Sequence, residues 1–411
     1  MVLGKLGKLK QYSDLFAASA AFRGTQNMAL TTIALLVRDK LGLGPSTIGV
    51  IGAVAGASMV ASTFLVSSRA KPHQLERSVI AGSVLLIAAL VVIGASQTVW
   101  EVIVGAILLG VSGGLGLPGL TGVVQRAART GGVGSERLLA LYTLVLSGSL
   151  AVAPLVEAFL LEQVGQDVRW PFFAFTVFPI ITIAAMVSRM RHAPANPSST
   201  ATGSADRPPR RRAISLHPVQ KALVAQLMYA VPFAGITVFG AEVARAQAHA
   251  TAAQAQLAFT AFFATSLLSR AVLAWLAPVK RKSSAFILSG VLTLAGIAII
   301  ATGHSFAFFL IGMAVVGVPH GIIFPLGLSL LADSLAPEEL PRANSTLIGA
   351  SNLVSVAVPP LLGEIAVAYG YEPMMLSIDA PALILLAVLA YLLYSHSVAA
   401  GRTPLGDQQA G

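Results

Sequence analysis

The chain has 411 residues, of which 55% are apolar and only 11% charged, whereas a soluble globular protein carries roughly a quarter charged residues. So little polar surface cannot keep a chain of this length dissolved in water, which excludes a soluble enzyme and points to hydrocarbon as the solvent. The net charge of +10 could suit a nucleic acid, but the basic residues fall between apolar runs, where Lys and Arg hold loops on the cytoplasmic side, so no nucleic-acid partner is expected.

With about 20 apolar residues needed per crossing, spans are predicted near 14–37, 46–67, 78–97, 101–124, 138–161, 171–189, 219–241, 252–277, 284–303, 305–331, 344–369 and 373–395. The basic start, Met1 to Lys10, precedes a long apolar run without a small-residue cleavage site, so no cleavable signal is expected. The stretch from Glu242 to Gln256 is the most ambiguous and is read as helix extending beyond the membrane. A Pro-, Ser- and Arg-rich insertion from Met190 to Pro218 cannot bury a core and reads as a linker.

Placing both termini in the cytoplasm puts 21 of the 27 Lys and Arg residues on that side. The outer loops then hold only Arg38, Lys40, Arg169 and Arg245, while Arg23 and Arg270 lie inside spans. This asymmetry agrees with positive-inside retention and an even number of spans.

The two halves repeat each other. Gly105, Gly110, Val111, Gly114 and Pro118 of the fourth span match Gly312, Gly317, Val318, Gly321 and Pro325 of the tenth at one offset. Pro171 and Pro179 match Pro373 and Pro381, and Pro154 matches Pro360, at nearly the same offset. Gly110/Gly114 and Gly317/Gly321 are small-xxx-small faces suited to close helix packing. The predicted fold is therefore all-α integral membrane, with twelve transmembrane helices in two parallel six-helix repeats. Residues 1–190 and 219–398 form the bundles, 191–218 a cytoplasmic linker and 399–411 a tail.

On these features the chain resembles the major facilitator superfamily over essentially its whole length. The run from Gly317 to Leu353 and Trp170-Pro171-Phe172-Phe173 carry the resemblance further. It implies two bundles rocking about a central cavity that opens to either side in turn. The finer signatures depart from the family. Of the G-x-x-x-D-R/K-x-G-R-R/K loop pattern only Arg69 matches, and its second copy has Ala274, Pro278 and Val279 at the Gly, Asp and Arg positions. Ala106 stands where the fourth-span arginine is usual. The antiporter pattern G-P-x-x-G becomes Ala153-Pro154-Leu155-Val156-Glu157, which weakens assignment to the drug/proton antiporters.

A charge at the bilayer centre costs about 2.5–3.5 kcal/mol on insertion scales, so ionisable residues within spans are the functional candidates. Ser19, Arg23, Asn27 and Thr31 recur every four residues with Gln26 beside them, forming one polar stripe on the first span. Arg23 suits a carboxylate or phosphate, or else caps carbonyls or pairs with an acid near the cytoplasmic face. Arg270 is placed first at the inner surface beside Lys280, reaching out along its stem. A transport role is its second reading, since monocarboxylate transporters of this superfamily are similar in having a basic residue there. Gln226, Tyr229 and Asn352 could line the cavity or bridge helices.

Proton coupling needs a group that changes protonation as access alternates. Asp379 is the deepest carboxylate by sequence and ranks first, while Glu157 and Glu364 are expected at the outer headgroup level. His320 suits a proton switch, although a neutral histidine bonded to a carbonyl is the commoner arrangement.

No phosphate loop, His cluster or cysteine occurs, so no enzymatic activity, metal or cofactor is expected. The expected function is secondary transport of small organic molecules, taken by default as proton-coupled efflux from the cell membrane by a monomer. The alternative is carboxylate transport by uptake or symport, motivated by the two arginines. An intramembrane transferase, which would need converging His, Asp or Ser groups at one membrane face, ranks lower.

Overall fold

The computed structural model describes residues 12–69, 74–130, 135–192, 216–276, 279, 281–336 and 339–400. Lys5, Lys8, Lys10, Lys71, Lys280, the arginines of the 193–215 segment and the tail from 401 lie outside them.

The elements, in order, are α1 (Ser13–Asp39), α2 (Pro45–Arg69), α3 (Leu75–Ala95), α4 (Val99–Thr130), α5 (Ser135–Gln163), α6 (Trp170–Ala174) and α7 (Val177–His192). They continue as α8 (Leu216–Ala246), α9 (Ala252–Trp275), α10 (Lys282–Thr302), α11 (Phe306–Ser334), α12 (Leu340–Tyr369) and α13 (Tyr371–Ala400). Every element among the described residues is helical. A helix satisfies its backbone groups within one segment, as a span without water requires; a closed barrel is the other solution.

Eleven described segments are long and apolar enough to cross a membrane. α1 joins them by length alone: its 27 residues span about 40 Å against a hydrocarbon core of about 30 Å. Its hydropathy is diluted by Ser19, Arg23, Thr25, Gln26, Asn27, Thr31 and Thr32. Neighbouring helices α5, α7 and α8 cover it instead of lipid. The chain is thus an integral, multi-pass membrane protein.

One sequence expectation is refined and one corrected, the sixth span being present over Trp170–Arg191. The sixth span is two helices, because Pro179 has no N–H to give the Phe175 carbonyl and the chain turns at Phe175 and Thr176, with the Thr176 N–H donating to Phe173 O at 3.2 Å. The Glu242–Gln256 stretch is not one prolonged helix. α8 ends at Ala246, His249 takes the left-handed backbone, and a capping box at Thr251 and Gln254 starts α9.

The bundle has a turn end, with short connections at 40–44, 96–98, 164–169, 247–251, 303–305 and 370, and an opposite, linker end where α2, α4, α7, α9 and α11 finish. All three tryptophans lie near helix ends and are exposed, Trp100 and Trp170 at the turn end and Trp275 at the linker end. Such a placement suits a membrane–water interface.

In lipid there is no hydrophobic gain from helix association, so close backbone contact must hold the helices. Gly110 and Gly114 set α4 against α2, where a Cβ would overlap the Ala55 carbonyl and Ser62. Gly317 and Gly321 set α11 against α9, where it would overlap the Phe262 and Ser266 carbonyls. The two glycine pairs matched in the sequence thus make the same kind of contact. Helices α1–α7 meet α8–α13 mainly through α2 on α12, α5 on α9 and α1 on α8.

Candidate functional site

Between these contacts lies a central cavity of about 390 Å³. The polar stripe of α1 divides along its length. Ser19 donates to its own helix at Leu15 O, 2.7 Å. Arg23 and Asn27 face the cavity, and Thr31 reaches Gln256 of α9 at 3.3 Å. Arg23 has no hydrogen-bond or ion-pair partner among the described residues; the titratable groups it faces are the neutral Tyr142 and the charged Arg270. Neither the carbonyl cap nor the acid partner considered from sequence is found there.

Arg270 enters the same cavity from α9, which corrects the expectation that it reaches the surface beside Lys280. Its Nη1 donates to Ser147 Oγ of α5 at 2.9 Å and its Nη2 to His320 O at 3.5 Å. These two bonds hold the guanidinium between α5 and α11. A second cavity of about 640 Å³, between α5, α9 and α11 toward the linker end, shares Arg270 and Phe324 with the first and carries Lys282. Lys282 pairs there with Asp333.

The uncharged candidates also separate. Gln26 is committed to α4 through Leu109 O at 3.0 Å and Ser112 Oγ, and Gln226 donates to Ser351 Oγ of α12 at 3.1 Å. Both line the cavity while bridging helices. Asn27 Nδ2 and the Tyr229 hydroxyl are buried without partners, and Asn352 lines the wall beside them.

His320 is not bonded to a carbonyl through its ring. Its Nδ1 has no partner, and the ring lies in an aromatic cluster, stacked on Phe233 at 4.7 Å, with Phe262 at 5.2 Å and Tyr229 at 5.3 Å. Arg23 and Arg270 are the charged groups facing it.

The three carboxylates do not converge on the cavity. Glu364 is exposed and accepts from Ser46 Oγ across the α2–α12 contact. Asp379 is half-buried on α13, outside the cavity wall, with Oδ1 unpartnered. Glu157 is fully buried among the helices and accepts from Thr32 Oγ1. It is more buried than Asp379 because α1 and α9 close over it, a tertiary contact that span position cannot reveal.

These results join a family match. The Major Facilitator Superfamily profile matches residues 15–245 and 222–410. The chain belongs to that superfamily. Among solved structures it is similar to a nucleoside transporter, NupG, with 12% identity and a TM-score of 0.73, covering 92% of this chain and 98% of that one. It is similar also to a POT family transporter in complex with 5-aminolevulinic acid (13% identity, TM-score 0.72, 95% and 96% covered). A peptide transporter POT in complex with sulfate follows at 15% identity and TM-score 0.70, with 93% and 94% covered. At such identities the likeness shows the fold. No curated protein matches the sequence.

One set of residues escaped the sequence reading. At the turn end Arg38 pairs with Glu242 at 2.9 Å, and the Tyr371 hydroxyl donates to the same carboxylate at 2.6 Å. Arg245 pairs with Asp39 at 3.2 Å and Lys40 with Asp167 at 2.9 Å. Ala253 N–H donates to Gln166 Oε1 at 2.9 Å. Burial pushes the Asp167 carboxyl up, but the Lys40 bond and charge, the Arg169 N–H and the Arg169 charge outweigh it and hold the group below its usual value. Every basic residue assigned to the outer loops is tied here, Arg169 through Ser96 O at 3.1 Å. The available signal was the charged triplet Arg38-Asp39-Lys40 facing a span that ends in Glu242 and Arg245. Read singly, such charges look like ordinary loop polarity.

Proposed function

We propose that this chain is a secondary transporter of small organic anions, moving them by alternating access through the central cavity with a proton. One observation carries the reading. Arg23 of α1 and Arg270 of α9 face one cavity, and no acidic side chain lines it among the described residues. Two guanidinium groups without a carboxylate suit an anionic substrate, which they can hold through charge-assisted, bidentate hydrogen bonds. Asn27, Tyr229 and Asn352 would bond its uncharged groups, and a proton moving with it would offset its charge.

The closed turn end supports a two-sided cycle, since the contacts between α1–α7 and α8–α13 at that end can separate without disturbing either set. The basic linker segments support placing the linker end and both termini in the cytoplasm. The matching glycine and proline positions support residues 1–190 and 219–398 as the two moving halves.

Uptake of a panel of radiolabelled carboxylates into proteoliposomes with an imposed pH gradient tests the reading. A charge-assisted hydrogen bond contributes about 1.5–3 kcal/mol, so Arg23→Gln and Arg270→Gln should each weaken apparent affinity about 10- to 100-fold. Undiminished transport of every anion by both variants would refute it. Proton-coupled export of apolar compounds is the second reading, favoured by the wall of Leu30, Ile33, Ile48, Ile51 and Met59. Its substrates would be insensitive to Arg23→Gln.

A further inference from the structure

We propose that Glu157 is a proton-binding site that governs closure of the turn end, holding its proton while α9 is seated and giving it up to water when α9 withdraws. The proposal rests on the transporter reading only for its biological use. The site is a buried polar cluster spanning the two helix sets. Glu157 of α5 is fully buried; its Oε1 accepts from Thr32 Oγ1 of α1, and its Oε2 is buried with no partner. Gln256 of α9, itself fully buried, meets Thr31 at 3.3 Å and Thr32 at 3.4 Å. Together these side chains seal the carboxyl from the turn end.

No cation faces Glu157. On α1, Arg38 and Asp39 lie nearer the turn end and are engaged by Glu242 and Arg245, and Arg23 lies more than two turns away, facing Tyr142 and Arg270. On α5, Tyr142 bonds Thr121 and Glu162 is exposed. On α9, Arg270 is held by Ser147 and His320 O, and on α8 Glu242 is held by Arg38 and Tyr371. Before α6, Asp167 and Lys40 hold each other, and Arg169 is tied to Ser96. Removing an ionised carboxylate from water without a partner costs several kcal/mol, so the cluster accepts the neutral acid, whose O–H can donate. Withdrawal of Gln256 with α9 exposes both oxygens to water and removes that cost. A proton therefore binds in the closed form and leaves in the open one.

One carboxyl oxygen bonded to Thr32 and one without a partner suit a single proton, and Na⁺ is tested as the competing ligand. The chain has no cysteine, so spin labels can be placed without background. Gln97→Cys and His304→Cys sit in exposed turn-end connections of the two helix sets, outside the contacts described. The nitroxide distance between them in liposomes is measured from pH 5 to 9, at fixed Na⁺ and without substrate. The open fraction should rise with pH, the open-to-closed ratio changing at most about tenfold per unit for one proton. Glu157→Gln, a neutral isostere, should stay closed throughout. Thr32→Val, which keeps the carboxyl but removes its donor, should move the midpoint and preserve the slope. Glu242→Gln should retain the slope, which separates this site from the neighbouring ion pair. An unchanged pH response in Glu157→Gln, an unmoved midpoint in Thr32→Val, a flat wild-type response, or a response to Na⁺ at constant pH would overturn the proposal. Because no substrate is present, a failure of anion transport would leave this result standing, and a failure here would leave the anion assays unaffected.

Discussion

Replacing Glu242 by Gln should open the turn end. The Glu242 side chain is 5% exposed, against 34% for Arg38, and it accepts from both Arg38 and Tyr371. Glutamine keeps the volume and an acceptor oxygen but loses the charge. Charge-assisted hydrogen bonds are roughly twice as strong as neutral ones, so each of the two bonds loses about 1 kcal/mol. Arg38 is a third exposed, and water screens part of its share, which leaves about 1–2 kcal/mol of lost bias toward the closed form. That is a factor of about 5–30 in the open-to-closed ratio. Ala34→Cys provides the readout, since Ala34 lines the cavity yet is 1% exposed and no native thiol competes. A membrane-impermeant maleimide applied to the turn-end face should label it about 5–30 times faster in the Glu242→Gln background. An equal or slower rate would refute the idea that this carboxylate holds the end shut.

Two further perturbations test packing and surface charge. Gly321→Ala puts a Cβ into the Ser266 backbone carbonyl and should cost about 1–3 kcal/mol by overpacking. Gly349→Ala meets nothing within 4 Å and should be neutral or stabilising by up to about 1 kcal/mol; thermal unfolding in detergent reads both. Lys40→Ala removes the partner of Asp167, an exposed pair worth under about 1 kcal/mol. Because that carboxyl sits below its usual value when folded, its contribution is present at neutral pH and fades as pH falls through the folded value. The difference in melting temperature between wild type and Lys40→Ala should therefore close in acid, below about pH 4.

The membrane character, the number and order of spans and the glycine faces were legible in the sequence because each depends on local composition. A span must be apolar whatever surrounds it, and Gly110, Gly114, Gly317 and Gly321 mark close approach without saying to which helix. Arg23 and Asn27 could be placed on one stripe by their four-residue spacing. Arg270, His320 and Glu157 could not be placed, because each depends on what a distant helix puts opposite it. Ser147 draws Arg270 inward, the rings of Phe233 and Phe262 enclose His320, and Thr32 with Gln256 seals Glu157.

Sequence by itself thus determined that the chain crosses a membrane as helices, and which residues are costly enough there to need a reason. Tertiary structure decided which of those residues share a cavity, which are consumed in bridging helices and which lock the turn end. The division has a physical cause. The hydrocarbon solvent acts on each helix separately and writes itself into local composition, whereas hydrogen bonds and ion pairs act only between groups that the packed bundle brings within about 3 Å.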